Sequence, residues 1–245
     1  MNSYTAFSDI YDPLMKEDIN YERIADFIEN IFTLHGKNPD MVADLACGTG
    51  NLTLPLAKRG YDMIGVDKSA DMLSIAREKC GSPDVLFLNQ DMTKLDLYGT
   101  ADAFLCMIDG INYVLSPHSL LNMFTRIKKC FLNPGGIVIF DISSEYKLSH
   151  IIGSNTFIRN EDKTFYTWEN RFLKNLKISD MYLNFFVKEG KRYRRFSERH
   201  LQRAYSADEI KSILKKAGFS KITLYDGFSY KKPTKKSQRI VFAAE

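Results

Sequence analysis

Apolar residues recur along this chain in two rhythms, one that suits helices and one that suits strands. Tyr21, Ile24, Phe27, Ile28 and Ile31 fall three and four apart, which predicts one buried helical face, and Gly36 and Pro39 end it. A short apolar run at 42–46 reads as a strand, breaks into a loop holding Gly48 and Gly50, and passes into a helix over 51–59. A second strand, 63–66, ends in Asp67, and Ser69 is placed to cap a helix whose apolar face is Met72, Leu73 and Ala76. The run 85–88 predicts a third strand ending in N-Q-D-M. The run 101–108 predicts a fourth, followed by the loop D-G-I-N-Y at 109–113. Ser116 and Pro117 open a helix carrying Leu120, Leu121, Phe124, Ile127 and Phe131. Pro134, Gly135 and Gly136 make a turn before a fifth strand, 136–141.

Strands and helices alternating in this way predict an α/β protein with a doubly wound, mostly parallel sheet. From about 156 to 205 the period drops to two, as in 164–172 and 181–187, with turns at 160–163, 174–175 and 189–191. This predicts a small antiparallel β subdomain inserted at 151–205, between a core made of 1–150 and 206–245, and lying over the cleft. It holds the single tryptophan, Trp168. The chain then returns to the helical rhythm. Ser206 and Glu209 form a capping box, Ile210, Ile213, Leu214 and Ala217 the buried face, and Gly218 the stop. Two last strands, 219–225 and 239–243, should pair antiparallel, joined across the solvated loop K-K-P-T-K-K at 231–236.

The loop at 48–50 is the first candidate for chemistry. Glycines there permit backbone angles closed to other residues and let a ligand lie against bare main chain. Asp67, 23 residues beyond Asp44, ends the second strand, where an acid typically grips the two hydroxyls of a ribose. C-G-T-G-N lacks the third glycine of G-x-G-x-x-G, and no phosphate loop occurs, so a ligand with ribose and adenine but no phosphate fits better.

On V-A-D-L-A-C-G-T-G (42–50), G-V-D (65–67) and Q-D-M (90–92), in that order, the chain resembles the class I S-adenosylmethionine-dependent methyltransferases. The resemblance implies a Rossmann-like seven-stranded sheet and S-adenosyl-L-methionine as cofactor. It places Asp44, Ala46 and Gly48 around the glycine loop, Asp67 at the ribose and Lys68 among the cofactor-binding residues, with Asp109 and Asn112 as polar groups facing the cleft from the fourth loop. For other positions it adds a reading next to a plainer one. Tyr11 either packs the N-terminal arm, like Tyr4 and Phe7, or reaches the methionine end of the cofactor. Met72 is helix core or lies against the adenine; Asp91 caps a loop or accepts the adenine amino group, with Met92 beside the ring. Cys106 is core packing or lies near the sulfonium.

Methyl transfer needs proximity and alignment, and a base only where the acceptor must lose a proton. If 194–205 is a strand, Glu198, His200 and Gln202 share one face while Arg199, Arg203 and Tyr205 share the other. His200, Glu198 and Arg203 are the candidates for catalysis, beside the plainer reading of a solvated, ion-paired strand.

Composition narrows the rest. A 44% hydrophobic and 26% charged chain of 245 residues suits a globular protein with a sizeable core. The net charge of +4 is too small to imply nucleic acid or membrane by itself. K-R-Y-R-R at 191–195 would tolerate RNA, yet the N/D-P-P-Y/F tetrad of amino-directed base methyltransferases is missing. Cys47, Cys80, Cys106 and Cys130 are isolated, and no secretory leader or roughly 20-residue apolar segment is visible, so a cytoplasmic protein without metal or membrane contact is expected. The expected activity is methylation of a small-molecule acceptor by a monomer or homodimer. The alternatives are methylation of RNA or a protein side chain, or a regulatory module that binds the cofactor without turnover.

Overall fold

The structure, a computed structural model, describes residue 12 and residues 19–81, 85–161 and 163–245. Its larger sheet has seven strands: β1 (Met41–Leu45), β2 (Asp62–Asp67), β3 (Val85–Asn89), β4 (Ala101–Cys106), β5 (Leu132–Ser143), β10 (Ile222–Asp226) and β11 (Arg239–Ala244). The spatial order is β10-β11-β5-β4-β1-β2-β3. All neighbours are parallel except β11, which runs antiparallel to both β5 and β10. Strand order reverses between β1 and β4, so a crevice opens outside their carboxyl ends, where ligands of doubly wound sheets bind.

Among the described residues, five α-helices cover the two faces: α1 (Tyr21–Leu34), α2 (Thr53–Lys58), α3 (Ala70–Cys80), α4 (Pro117–Arg126) and α5 (Ala207–Ala217). Ile24, Phe27, Ile28, Leu56 and Leu73 pack on one face against Val42, Ala103 and Ile139. Leu120, Phe124, Ile210 and Leu214 pack on the other against Ala43, Phe104 and Phe140. Serine caps set three of the starts: Ser69, Ser116 and Ser206 each accept a backbone N–H three residues on. Gly81 and Gly218 end α3 and α5 in the left-handed region.

Three details depart from the sequence pattern. The helix expected over 51–59 is only Thr53–Lys58, because the Asn51 side chain bonds Asp12 and Lys79 and offers no cap. So short a helix does not supply the aligned dipole expected at the glycine loop. The turn at 134–136 lies within β5, as a bulge: Ala101 pairs with Leu132, and Ala103 with Ile137. Gly136 is required there, since a Cβ would sit 2.6 Å from the Asp102 carbonyl. Finally, π-helical turns at Ile127–Phe131 and Lys147–Ile152 follow α4 and β5. Leu148 and Ile152 of the second pack beside Phe157, Trp168 and Phe172.

The second sheet, of four strands, is antiparallel throughout: β6 (Thr156–Asn160), β7 (Thr164–Leu173), β8 (Ile178–Glu189) and β9 (Arg192–Arg203). In this sheet the turn expected at 174–175 is wider, running over 174–177, and the one expected at 189–191 falls at 190–191; Lys177 and Gly190 are left-handed. Alternation gives it one enclosed face, on which Trp168, Leu183 and Glu198 form one cross-strand row and Asn170, Met181 and His200 the next. Phe185, fully buried, joins this face to the main body by packing on Met72 of α3. Among the described residues no helix is long and apolar enough to cross a membrane.

Candidate active site

A cleft of about 1100 Å3, counted with its open mouth, lies at the point where the strand order reverses. The turn after β1 forms its floor, with Ala46, Gly48 and Gly50 all at positive φ (56°, 56° and 73°). A Cβ added at Gly48 would meet nothing within 4 Å, so a ligand can approach bare backbone there. Of the residues expected at a cofactor, Asp44, Ala46, Gly48, Asp67 and Lys68 line this cleft. So do Met72, Asp91 and Met92.

Asp67 accepts the Gly48 amide on Oδ2 (2.9 Å) and the Ser69 amide on Oδ1 (2.8 Å), which fixes the carboxylate and leaves a lone-pair site on each oxygen. Burial pushes its pKa up. Asp44 is 2% exposed, accepts the Thr53 hydroxyl at 2.6 Å, and is pushed up to about 7 by burial and then by the charge of Asp67. Two carboxylates thus repel one another in a desolvated cleft, a setting that favours a cationic ligand. S-adenosylmethionine fits this donor set: its ribose hydroxyls suit Asp67, and its positive sulfonium and ammonium suit the acidic floor. Asp91 both lines the cleft and caps the turn after β3, accepting Thr93 N and Oγ1 on Oδ1. The capping reading is thus met, and the same residue stands in the cleft lining.

Four expectations are corrected by the packing. Cys106 is 2% exposed and stands behind the lining, its Sγ 3.9 Å from Met92 Sδ, with its thiol pushed up by burial. Asp109 turns its carboxylate away from the cleft: Arg239 Nη2 donates to Oδ1 (2.9 Å) and Gln202 Nε2 to Oδ2 (3.0 Å). Burial opposes its ionisation, but Arg239, Lys147 and the Gln202 bond together hold its pKa below the ordinary value. Asn112, fully buried, donates to the Ser143 and Arg203 carbonyls and accepts the Ser143 amide, a strut between the ends of β5 and β9. Arg203 is on the opposite face of β9 from His200; it pairs with Glu209 at 2.9 Å and lies over the Tyr205 ring. Tyr11 lies outside the described residues, as do Tyr4 and Phe7.

Glu198 and His200 do come together on the enclosed face, both buried, with His200 Nε2 3.6 Å from Glu198 Oε2. His200 Nδ1 lies 3.1 Å from the hydroxyl of Tyr113, which lines the cleft. Burial, and then the charge of Lys68, pushes the imidazole down to about 4, so it is neutral at physiological pH.

Sequence reasoning passed over Tyr21, Thr49, Asn51, Ile108 and Tyr113, which also line the cleft. Tyr113 could have been found as the aromatic of the loop after the fourth strand. Thr49 and Asn51 could not, because their partner is remote: both donate to Asp12 Oδ1 (2.6 and 2.8 Å), whose Oδ2 lies 2.7 Å from Lys79 Nζ. Burial opposes ionisation of Asp12, yet these three donors hold its pKa below the ordinary value.

A methyltransferase domain model matches residues 42–136, the span that builds the cleft's floor and first walls. The methyltransferase-family protein YqeM of Bacillus subtilis (strain 168) is 32% identical over 245 residues, covering 99% of this chain and 96% of its own. A solved S-adenosylmethionine-dependent methyltransferase from Clostridium acetobutylicum ATCC 824 is 36% identical, with a TM-score of 0.90 and coverage of 99% and 98%. The same fold recurs at 17% identity and a TM-score of 0.76, over 96% of both chains, in S-adenosylmethionine-bound CalS10 from Micromonospora echinaspora, described as an amino pentose methyltransferase.

Proposed function

The chain belongs to the S-adenosylmethionine-dependent methyltransferases, and we propose that it methylates a small-molecule acceptor held between the cleft and the enclosed face of the β6–β9 sheet. The observation that carries this reading is the link from His200 through Tyr113 to the cleft, at 3.1 Å. A polar pair is thereby brought to the edge of the cofactor space, on a sheet anchored by Phe185 to Met72. The cleft is lined by three carboxylates, Asp44, Asp67 and Asp91, which disfavours a polyanion such as RNA as the acceptor. CalS10, which shares the fold, is an amino pentose methyltransferase by description.

The bound cofactor supplies an activated methyl group for in-line displacement. This chain's residues orient and desolvate. The fixed Asp67 carboxylate and the bare backbone at Gly48 seat the ribose end, and the acidic floor at Asp44 attracts positive charge. Neutral His200 is available to take a proton from an acceptor that must lose one. Its low pKa makes it a weak base, so Glu198 at 3.6 Å matters by stabilising the imidazolium once formed. Arg203 has no part in this reading.

Incubating the protein with methyl-tritiated S-adenosylmethionine and a cell extract split at 3 kDa tests the proposal. Label should enter the small-molecule fraction, and His200→Ala should cut that transfer at least about a hundredfold while S-adenosylhomocysteine still binds within about twofold. Label confined to the RNA or protein fraction overturns the acceptor class. Tight cofactor binding with no transfer to any fraction points instead to a module without turnover.

A further inference from the structure

One wall of the cleft is held in shape from outside it. Ile108 and Asp109 are consecutive left-handed residues (φ 58° and 56°), a region that a β-branched side chain such as isoleucine avoids. Such geometry persists only where the surroundings over-determine it. Gly110 bounds the turn on one side, since a Cβ there would lie 2.7 Å from Cys106 Sγ and 3.2 Å from Ala46 Cβ. On the other side three contacts converge on Asp109. Its N–H donates to Asp141 Oδ1 (3.1 Å), Arg239 holds Oδ1 and Gln202 holds Oδ2. Arg239 also pairs with the other oxygen of Asp141, which is fully buried. Asp109, Arg239 and Gln202 do not line the cleft, whereas Ile108, Gly110 and Tyr113 do.

We propose that Arg239 and Gln202 are positioning residues for the cofactor, acting through Asp109 on the wall formed by Ile108 and Gly110. Arg239 on β11, fixed to Asp141 on β5, is the rigid half of this clamp. Gln202 is the adjustable half, because it comes from β9 of the second sheet. It shares the enclosed face with His200, two residues before it. The sheet that carries the proposed acceptor groups therefore also sets the cofactor wall. Where β9 sits is expressed as cofactor affinity.

Calorimetric titration of the full chain with S-adenosylhomocysteine tests this, at a temperature where circular dichroism shows every variant folded. Gln202→Met keeps the length and removes the donor; Gln202→Glu keeps the shape and sets a carboxylate against Asp109. The expected dissociation constants rise about fivefold for the first and more than about twentyfold for the second. Arg239→Lys, which retains one charged contact, should fall between wild type and Gln202→Glu. A side chain that only filled space would give the same affinity with Met as with Gln, and that result in folded protein overturns the proposal. If Gln202→Glu does not fold, Gln202→Met against wild type decides alone. Failure of the wild type to bind would refute the cofactor assignment rather than the clamp.

Discussion

Replacing Asp44 with asparagine should stabilise the protein without cofactor, and only above a definite pH. Burial and the neighbouring charge of Asp67 raise the Asp44 pKa from 3.8 to about 7. Below pH 3.8 the carboxyl is neutral whether the chain is folded or not, and it contributes no pH dependence. Between 3.8 and 7 the unfolded chain has released the proton that the folded one keeps, so stability falls as pH rises. Beyond 7 the full cost stands: roughly three units at 1.36 kcal/mol each, or about 4 kcal/mol. Asparagine escapes this cost and can still accept the Thr53 hydroxyl, though its amide N–H pair is new to a buried site, which offsets about half. A net gain of about 2 kcal/mol at pH 8 corresponds to about 4–8 °C in Tm for a chain of this size. Urea unfolding at pH 4, 6 and 8 reads it directly. Asp44→Asn should be about 2 kcal/mol less stable than wild type at pH 4, where only the cost of the buried amide remains, and about 2 kcal/mol more stable at pH 8, while S-adenosylmethionine binds the variant more weakly. Parallel stability profiles for the two proteins would refute the reasoning, since they would mean that Asp44 ionises as freely in the fold as outside it.

Two further changes probe the cleft and its support. Asp67→Ala removes the proposed ribose acceptor and should weaken S-adenosylmethionine binding by at least about 1.5 kcal/mol, more than tenfold by calorimetry; unchanged affinity would mean the pocket is elsewhere. Asn112→Ala leaves the Ser143 amide and the carbonyls of Ser143 and Arg203 without their partner, and should cost about 3 kcal/mol in urea unfolding.

What the sequence revealed and what it hid divide along the distance between partners. The glycine loop, Asp67 and Asp91 were legible because strand, turn and acid follow one another locally, and the topology carries them to the same edge. The enclosed face of β9 was legible because a strand's period of two leaves no freedom: Glu198, His200 and Gln202 had to point together. Asp109 and Asn112 misled because a polar residue in a loop does not announce which way it faces. What decides it is Arg239, 130 residues on for Asp109, and Ser143 for Asn112. Arg203 was grouped with His200 by density of charge although the alternation already set it on the other side. The shortened α2 has the same origin, since Asn51 is drawn off by Asp12, 39 residues before it.

The attachment of the β6–β9 sheet bears on how such a chain can diversify. Among the described residues it meets the cofactor-bearing half at separate points: Phe185 on Met72, His200 at Tyr113, Gln202 on Asp109, the Arg203 carbonyl on Asn112, and Phe157, Trp168 and Phe172 beside Leu148 and Ile152. Between these points, Leu183, Asn170 and Met181 sit in register rows, and none of them lines the cleft. Mutational drift in those rows can reshape what is recognised while the inherited methyl donor machinery stays intact, so new specificities can arise by changing one row of side chains at a time.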